Sequence, residues 1–220
     1  MPNRFLMPVM LSVAAVVTPV SIQLASAEEA ACASPAVPIE AEEYTPLTSD
    51  NYARAETQQM FAGAYIQKIA QPTGSSVMGV LMHERVPSDP NHKAFARVNF
   101  DTLYSWVLLD LNSPATITLP ETDGRYQSAQ VLNEGHWMPF VVTEAGSFTL
   151  TQENSGSRYV LVGIRTQMNM QDPDDILEAN KLQDLVQVAQ AEPGELVFTD
   201  LWNKAAIMTM RKELQIPGPI

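Results

Sequence analysis

The chain has 220 residues, a net charge of −12 and one cysteine, with 45% hydrophobic and 17% charged residues. This composition is typical of one folded domain with a buried core, and it argues against a disordered acidic tail. The acidic balance offers no positive surface to phosphate backbones or anionic lipids, so nucleic-acid binding is excluded. A single cysteine excludes an intrachain disulfide and a cysteine-built metal site.

Residues 1–27 have the three parts of a secretory signal peptide. Arg4 supplies a basic end, an apolar run extends over residues 11–17, and Ala25-Ser26-Ala27 places small side chains at a cleavage site. Prolines and polar residues interrupt the apolar stretch, which leaves it shorter than the roughly 20 residues of a membrane-spanning helix. We therefore expect cleavage before Glu28, a periplasmic or secreted mature protein, and no membrane span after cleavage.

Residues 28–47 are rich in Ala, Pro and Glu and show no hydrophobic period, so they are predicted to be a flexible linker. Cys32 lies in this linker. The aliphatic residue that a lipid-attachment signal requires is missing before Ala30-Ala31, which favours an unpaired thiol over lipidation. The remaining residues, 48–220, are expected to form a single domain.

Helical periodicity predicts three helices, over residues 49–70, over residues 172–189, and from about residue 199 to Pro217. N-cap side chains precede the first helix, and Asp172 and Pro173 open the second. The last helix is expected to turn Leu201, Trp202, Ala205 and Met208 inward.

Seven short apolar runs bounded by turn residues predict strands over residues 77–82, 94–111, 115–119, 126–133, 138–143, 148–151 and 158–166. Turn-rich separators favour antiparallel hairpin pairing of successive strands. The strand after Asp101 is apolar on both parities, so it should be central and covered on both faces. The expected fold is α+β, with an antiparallel β-sandwich, a jelly-roll-like meander, flanked by an N-terminal helix and two C-terminal helices.

Two groups of polar residues are candidates for chemistry. Arg97, Asn99 and Asp101 are spaced by two, so on a strand they project from one face. They either satisfy the end of that strand or contact a polar ligand.

The second group follows the strand over residues 126–133 and consists of Gln130, Asn133, Glu134 and His136, next to the aromatic Trp137. Glu134 and His136 form an acid–base pair if they face a cleft. A metal site would need further ligands at fixed spacing, and the other histidines do not supply them. No metal and no other cofactor is expected.

Four stretches, over residues 48–56, 97–105, 128–136 and 158–162, together resemble the bacterial family known as domain of unknown function twelve fifty-four. The most specific run is Asn99-Phe100-Asp101-Thr102-Leu103-Tyr104-Ser105, and the resemblance extends over about residues 48–191. The family usually has Arg where this chain has Phe100, and Tyr where it has Trp137. The resemblance implies the mixed fold and an exported location, but it supplies no reaction. Larger relatives carry a second β-rich domain, so we expect a single-domain member.

From these observations we expect the two polar groups to meet at one end of the sandwich and line a pocket. The favoured function is a periplasmic small-molecule-binding or envelope-associated module, with Tyr104, Trp106 and Trp137 as walls. Its ligand-binding candidates are Arg97, Asn99, Asp101, Tyr104, Gln130, Asn133 and Trp137.

Two alternatives stay open. One is a hydrolase or lyase whose catalytic candidates are His136, Glu134 and Asp101, with Arg97 stabilising negative charge. The other is a structural domain that docks a partner chain carrying the second domain, or a second copy of itself.

Overall fold

The computed structural model describes residues 43–65, 78–89 and 99–214. Within them, eight strands form two antiparallel sheets. The larger sheet has the order β1-β2-β7-β4-β5, with the bounds Met82–His83, Thr102–Asp110, Tyr159–Gln167, Gln127–Asn133 and Phe140–Val142. The smaller sheet has the order β6-β3-β8, with the bounds Gly146–Leu150, Ala115–Leu119 and Gln187–Gln190.

The inner face of the larger sheet packs on the smaller sheet. Alternate residues of the central strands meet Ile117 and Leu150 of the smaller sheet in one aliphatic cluster, and most of its members are fully buried. Burial on this scale contributes roughly 1.5–3 kcal/mol for each large side chain. The predicted α+β fold with two antiparallel sheets is confirmed.

The outer face of the larger sheet is covered by helix α1, Tyr52–Met60, its π-helical continuation Phe61–Tyr65, and the segment over residues 194–203. Phe61, Leu108 and Tyr159 form the centre of this second cluster. The Tyr159 hydroxyl donates to the carbonyl of Glu195 at 2.9 Å and so fixes the covering segment to the sheet.

Three further helices complete the described chain: α2, Gln152–Ser155; α3, Pro173–Asp184; and α4, Lys204–Leu214. Helix α3 lies against the inner side, where Ala179 packs with Leu103 and Met168. Helix α4 is joined to α1 by Arg211, whose Nε donates to Glu56 at 2.7 Å. Among the described residues, none of the helices is long and apolar enough to cross a bilayer.

The strand over residues 115–119 is found as predicted, and β2 is central and covered on both faces as expected. The strand predicted over residues 77–82 is wrong. Gly79 turns the chain with φ 72°, and the short β1 begins only at Met82. Of the strand predicted over residues 94–111, β2 forms Thr102–Asp110, and residues 99–101 before it are not in a strand. Residues 94–98 lie outside the described residues.

The predicted hairpin pairing of successive strands is wrong for most strands. β2 and β3 lie in different sheets, and β2 pairs instead with β7. Turn residues show that a chain reverses direction, but in a two-sheet fold they do not show which sheet the next strand joins.

The predicted second helix is too long, because α3 ends at Asp184 and residues 187–190 form β8 on the edge of β3. A run of only four residues is compatible with both the helical and the strand period of hydrophobic residues. Residues 187–190 form a strand because they are hydrogen-bonded to β3. Helix α4 begins five residues later than expected, because the Asn203 side chain accepts the N–H groups of Ala205 and Ala206. Ile207 is its buried residue, whereas Met208 is exposed.

Candidate functional site

Asn99 and Asp101 of the first predicted group lie at the opposite end of the larger sheet from Asn133, Glu134 and His136 of the second. Asp101 precedes β2, and its carbonyl accepts the N–H of Met168, directly after β7. Asn133, at the end of β4, pairs with Val160 at the start of β7. At about 3.3 Å per strand residue these positions are roughly 25 Å apart. The predicted shared pocket is therefore wrong.

Asn99 and Asp101 of the first group also do not lie on a strand. The Asn99 side chain accepts the N–H of Asp101 at 2.8 Å and donates to the Thr102 hydroxyl at 2.9 Å. This local bonding forms a turn, which is a common use of asparagine. Arg97 lies outside the described residues.

A cavity of about 180 Å³ opens on the outer face of the larger sheet, towards the end of β4. Strands β2, β4 and β7 form its floor and walls, helix α1 contributes one residue, and the turn after β4 contributes another. The lining residues are Met60, Tyr104, Trp106, Gln130, Leu132, His136, Leu161, Gly163 and Arg165. Tyr104, Gln130 and His136 of the predicted candidates therefore lie together at this cavity.

A glycine allows the aromatic floor to form. Trp106 and Gly163 are directly opposite each other on β2 and β7. A Cβ atom at Gly163 would lie 2.6 Å from Cζ3 of Trp106. The indole therefore occupies the space that the side chain of any other residue at this position would fill. Tyr104 stacks on Trp106 with ring centroids 5.3 Å apart and planes 1° apart. The guanidinium of Arg165 lies over the Tyr104 ring at 5.4 Å and continues this stack.

His136 is held in a defined orientation at the cavity wall. Its Nδ1 lies 2.8 Å from the hydroxyl of Thr57, and that hydroxyl donates its hydrogen to the Ala53 carbonyl. Because a hydroxyl has a single hydrogen, Thr57 accepts from His136, and the proton of a neutral ring is therefore on Nδ1. Nε2 then carries the lone pair.

The backbone of His136 is in the left-handed region, with φ 65°. This conformation costs a residue with a Cβ atom about 1–2 kcal/mol. Asn133 enforces it, because its side-chain oxygen accepts the N–H groups of Gly135 and Trp137, both at 3.0 Å. Asn133 is buried and builds the turn that presents His136; its own amide donates to the Ser155 carbonyl.

Glu134 is a buried structural carboxylate and takes partners other than His136. It accepts from Gln58 at 2.8 Å and from the backbone N–H of Tyr159 at 3.2 Å, and it pairs with Arg54 at 3.2 Å. These contacts join α1, the turn and the start of β7. Glu134 and His136 therefore do not form the predicted acid–base pair. The hydrogen-bond partner of the His136 ring is the Thr57 hydroxyl.

Trp137, predicted as a wall, points away from the fold with 75% of its surface exposed, outside the set of lining residues. Met138 beside it is also exposed, and its sulfur accepts a hydrogen bond from the Gln130 amide. Within the described part of the chain, no group of three or more His, Cys, Asp or Glu side chains is arranged to hold a metal ion.

Sequence reasoning missed Gly163 and Arg165. The signal was present in β7, where buried Val162, Ile164 and Thr166 alternate with these two residues. A glycine and a charged residue on the same parity of a central strand indicate a face that is not filled by aliphatic packing.

Two comparisons with known proteins bear on this architecture. The family model described as "Protein of unknown function (DUF1254)" matches residues 78–169. The resemblance to this family is confirmed. The match is narrower than the expected 48–191, and it includes β2, β4 and β7, which build the cavity.

The structure is similar to the crystal structure of the VPA0106 protein from Vibrio parahaemolyticus, with a TM-score of 0.52 and 16% sequence identity. The similarity covers 69% of this chain and 40% of that protein, so the chain corresponds to less than half of its length. At this identity the likeness shows a shared fold. No curated protein matches the chain.

Proposed function

We propose that this protein is an exported module that binds a small molecule in the outer-face cavity. The observation that carries the proposal is the lining of the cavity, which combines apolar and aromatic walls with only three polar side chains, Gln130, His136 and Arg165. Ligand sites typically have this composition. Their usual volume is about 300–1,000 Å³, so the cavity of about 180 Å³ suits a small ligand.

The strained position of His136 supports this function. Non-glycine residues with positive φ cluster at functional sites, where the surrounding structure holds them in place. Here Asn133 and Thr57 hold the backbone and the ring of His136, respectively. The ring is thus oriented before any ligand arrives, which reduces the entropy lost on binding.

The binding function can be tested on the protein as recovered from the expressing cell, with a library of small metabolites followed by thermal shift and calorimetry. Gly163→Ala is the informative variant, because the new Cβ atom displaces Trp106 from the floor. Gly63→Ala is the matched control, since a Cβ atom there meets nothing within 4 Å.

We expect at least one saturable ligand whose affinity falls tenfold or more in Gly163→Ala and is unchanged in Gly63→Ala. Circular dichroism establishes that both variants are folded. Ligands that bind both variants as tightly as the parent protein would place binding elsewhere and refute the proposal.

Export is proposed from the N-terminal sequence features. The mass of the protein recovered from the expressing cell is expected to correspond to a chain that begins at Glu28. An intact Met1 in the cytoplasmic fraction would contradict export.

An acid–base function of His136 is the second candidate. It is favoured by the hydrogen bond to Thr57, which leaves Nε2 as the acceptor of the neutral ring. A screen of ester and lyase substrates tests this function. We expect turnover to be lost in His136→Asn and reduced in Thr57→Val, whereas turnover that survives His136→Asn would exclude it.

A further inference from the structure

We propose that the ligand of the outer-face cavity is a small organic carboxylate with an apolar body, bound through Arg165. This inference rests on the proposed binding function and names its ligand class.

Arg165 differs from every other arginine of the described residues. The other five each pair with a carboxylate, in the pairs Arg54 with Glu134 and Asp200, Arg85 with Asp184, Arg125 with Asp123 and Asp175, Arg158 with Asp110, and Arg211 with Glu56. Arg165 has no carboxylate partner within the described residues, and its guanidinium instead lies over the Tyr104 ring. In a chain with 25 acidic and 13 basic residues, a cavity arginine without a carboxylate partner among the described residues is an exception.

Stacking leaves the hydrogen-bonding edge of Arg165 available. The contact with Tyr104 uses the face of the planar guanidinium, whereas its N–H groups project in the plane. Two of these N–H groups match the two oxygens of a carboxylate, in a charge-assisted, bidentate pair. The stack with Tyr104 and Trp106 also restricts the guanidinium, so less conformational freedom is lost when the anion binds.

The cavity has no acidic side chain in its lining. Its nine lining residues include Arg165 and His136, and none of them is Asp or Glu. The chain as a whole has a net charge of −12, whereas the cavity lining carries the positive charge of Arg165 and no negative charge. Local charge of this kind selects between ligands of equal shape.

The remaining walls define the body of the ligand. Met60, Leu132 and Leu161 are apolar, and Trp106 and Tyr104 add aromatic surface. A phosphate or a sugar acid would place hydroxyl or phosphoryl oxygens against these side chains without hydrogen-bond partners, which is costly. A monocarboxylate with an aromatic or short aliphatic body fits both the single guanidinium and the apolar walls.

The test compares acids with neutral amides of the same shape. Benzoate and phenylacetate are titrated into the full protein beside benzamide and phenylacetamide, by calorimetry at low and at high salt. The variants are Arg165→Gln and Arg165→Lys. Arg85→Gln is the matched control, because it removes the same charge at the edge of α3, on the inner side of the sheet.

We expect the acids to bind at least tenfold more tightly than the amides, and this preference to weaken at high salt. Arg165→Gln should reduce acid affinity to the level of the amides, Arg165→Lys should retain part of the preference, and Arg85→Gln should retain all of it. Arg165 is exposed, so its variants are expected to fold.

Equal binding of acids and amides, lost in Gly163→Ala, would overturn the carboxylate inference and leave the proposed binding function intact. Tighter binding of inorganic phosphate or phenyl phosphate than of the acids would also overturn it. If none of the acids binds, the inference fails, and the metabolite library alone decides the binding function.

Discussion

The two faces of the larger sheet are built by the same strands and differ in what their side chains do. On the inner face, β2, β4 and β7 present aliphatic residues that are fully buried against the smaller sheet, among them Val107, Val131, Val162 and Ile164. On the outer face, the intervening positions carry Trp106, Gln130, Gly163 and Arg165 around a cavity.

At the cavity, alternation along the strands separates the aliphatic packing of the inner face from the open positions of the outer face. Elsewhere on the outer face, Leu108 and Tyr159 are buried in a cluster of their own. Residues one position apart point to opposite faces, so the inner set can satisfy packing while the outer set is open to other demands. A polar residue, an aromatic residue or a glycine among the aliphatic residues of a central strand therefore indicates a candidate binding surface.

Truncating one side chain on each face tests this difference most directly. Ile164→Ala removes a fully buried inner side chain and is expected to reduce the free energy of unfolding by about 2–5 kcal/mol. Leu132→Ala removes a half-buried side chain at the cavity and should cost about 1 kcal/mol or less. Urea denaturation measures both. Equal losses would show that the outer face is packed as tightly as the inner face.

The turn after β4 allows a second test, because the buried Glu134 and the cavity residue His136 are two residues apart in it. Glu134→Gln weakens the buried contacts to Arg54, Gln58 and the Tyr159 backbone, and we expect a loss of about 1–3 kcal/mol. His136→Asn keeps a residue that tolerates positive φ and should cost less than about 1 kcal/mol.

Binding should show the opposite order. Once folded, Glu134→Gln is expected to retain the affinity for cavity ligands, whereas His136→Asn should reduce it. Chemical denaturation and calorimetry on the same samples separate the two effects. A stable Glu134→Gln variant with impaired binding would assign Glu134 to the site and contradict the structural role.

The sequence predicted the fold class because its local signals are strong. The strand Ala115–Leu119 was placed correctly, since Pro114 and Pro120 bound it and its residues alternate between buried and half-buried. The pairing of β2 with β7 was not predicted, because some fifty residues separate these strands and no local pattern encodes their contact. β8 was missed for the same reason, since its partner strand decides its conformation.

The candidate site was predicted in part. Tyr104, Gln130 and His136 lie at the cavity. Tyr104 and Gln130 are on the outer positions of β2 and β4, which strand alternation makes readable from sequence, whereas His136 lies in the turn after β4 and was predicted from its residue type. Asn133 and Glu134 are equally polar, yet they serve the turn and the buried ion pair. Residue type alone does not distinguish a ligand contact from a structural hydrogen bond, because both use the same donors and acceptors.

The inner side also carries buried polar side chains, and the titration of a histidine beside one of them gives the smallest of the expected effects. Ser105 is fully buried on β2 beneath α3, and it accepts from the Gln183 amide at 3.2 Å. Its hydroxyl lies 2.7 Å from Nδ1 of His83, so the two side chains are hydrogen-bonded. Burial, together with the nearby Arg85 guanidinium, lowers the pKa of His83 below its usual value of 6.5.

Because the folded protein disfavours the charged ring, the unfolded chain binds more protons just below pH 6.5, and stability must fall as the pH is lowered through this region. His83→Asn cannot titrate and keeps an acceptor for Ser105. We expect the free energy of unfolding of the parent protein to decrease from about pH 7 to about pH 5, and the variant to show a shallower decrease. The pKa of Asp110 is also lowered, because its hydrogen bonds to Arg158 outweigh the effect of burial, so its contribution is retained above its usual value of 3.8 and lost only at lower pH. His83 and Asp110 therefore affect stability in separate pH ranges. If the free energy of unfolding has the same pH dependence in the parent protein and in His83→Asn, the pKa of His83 does not contribute to stability.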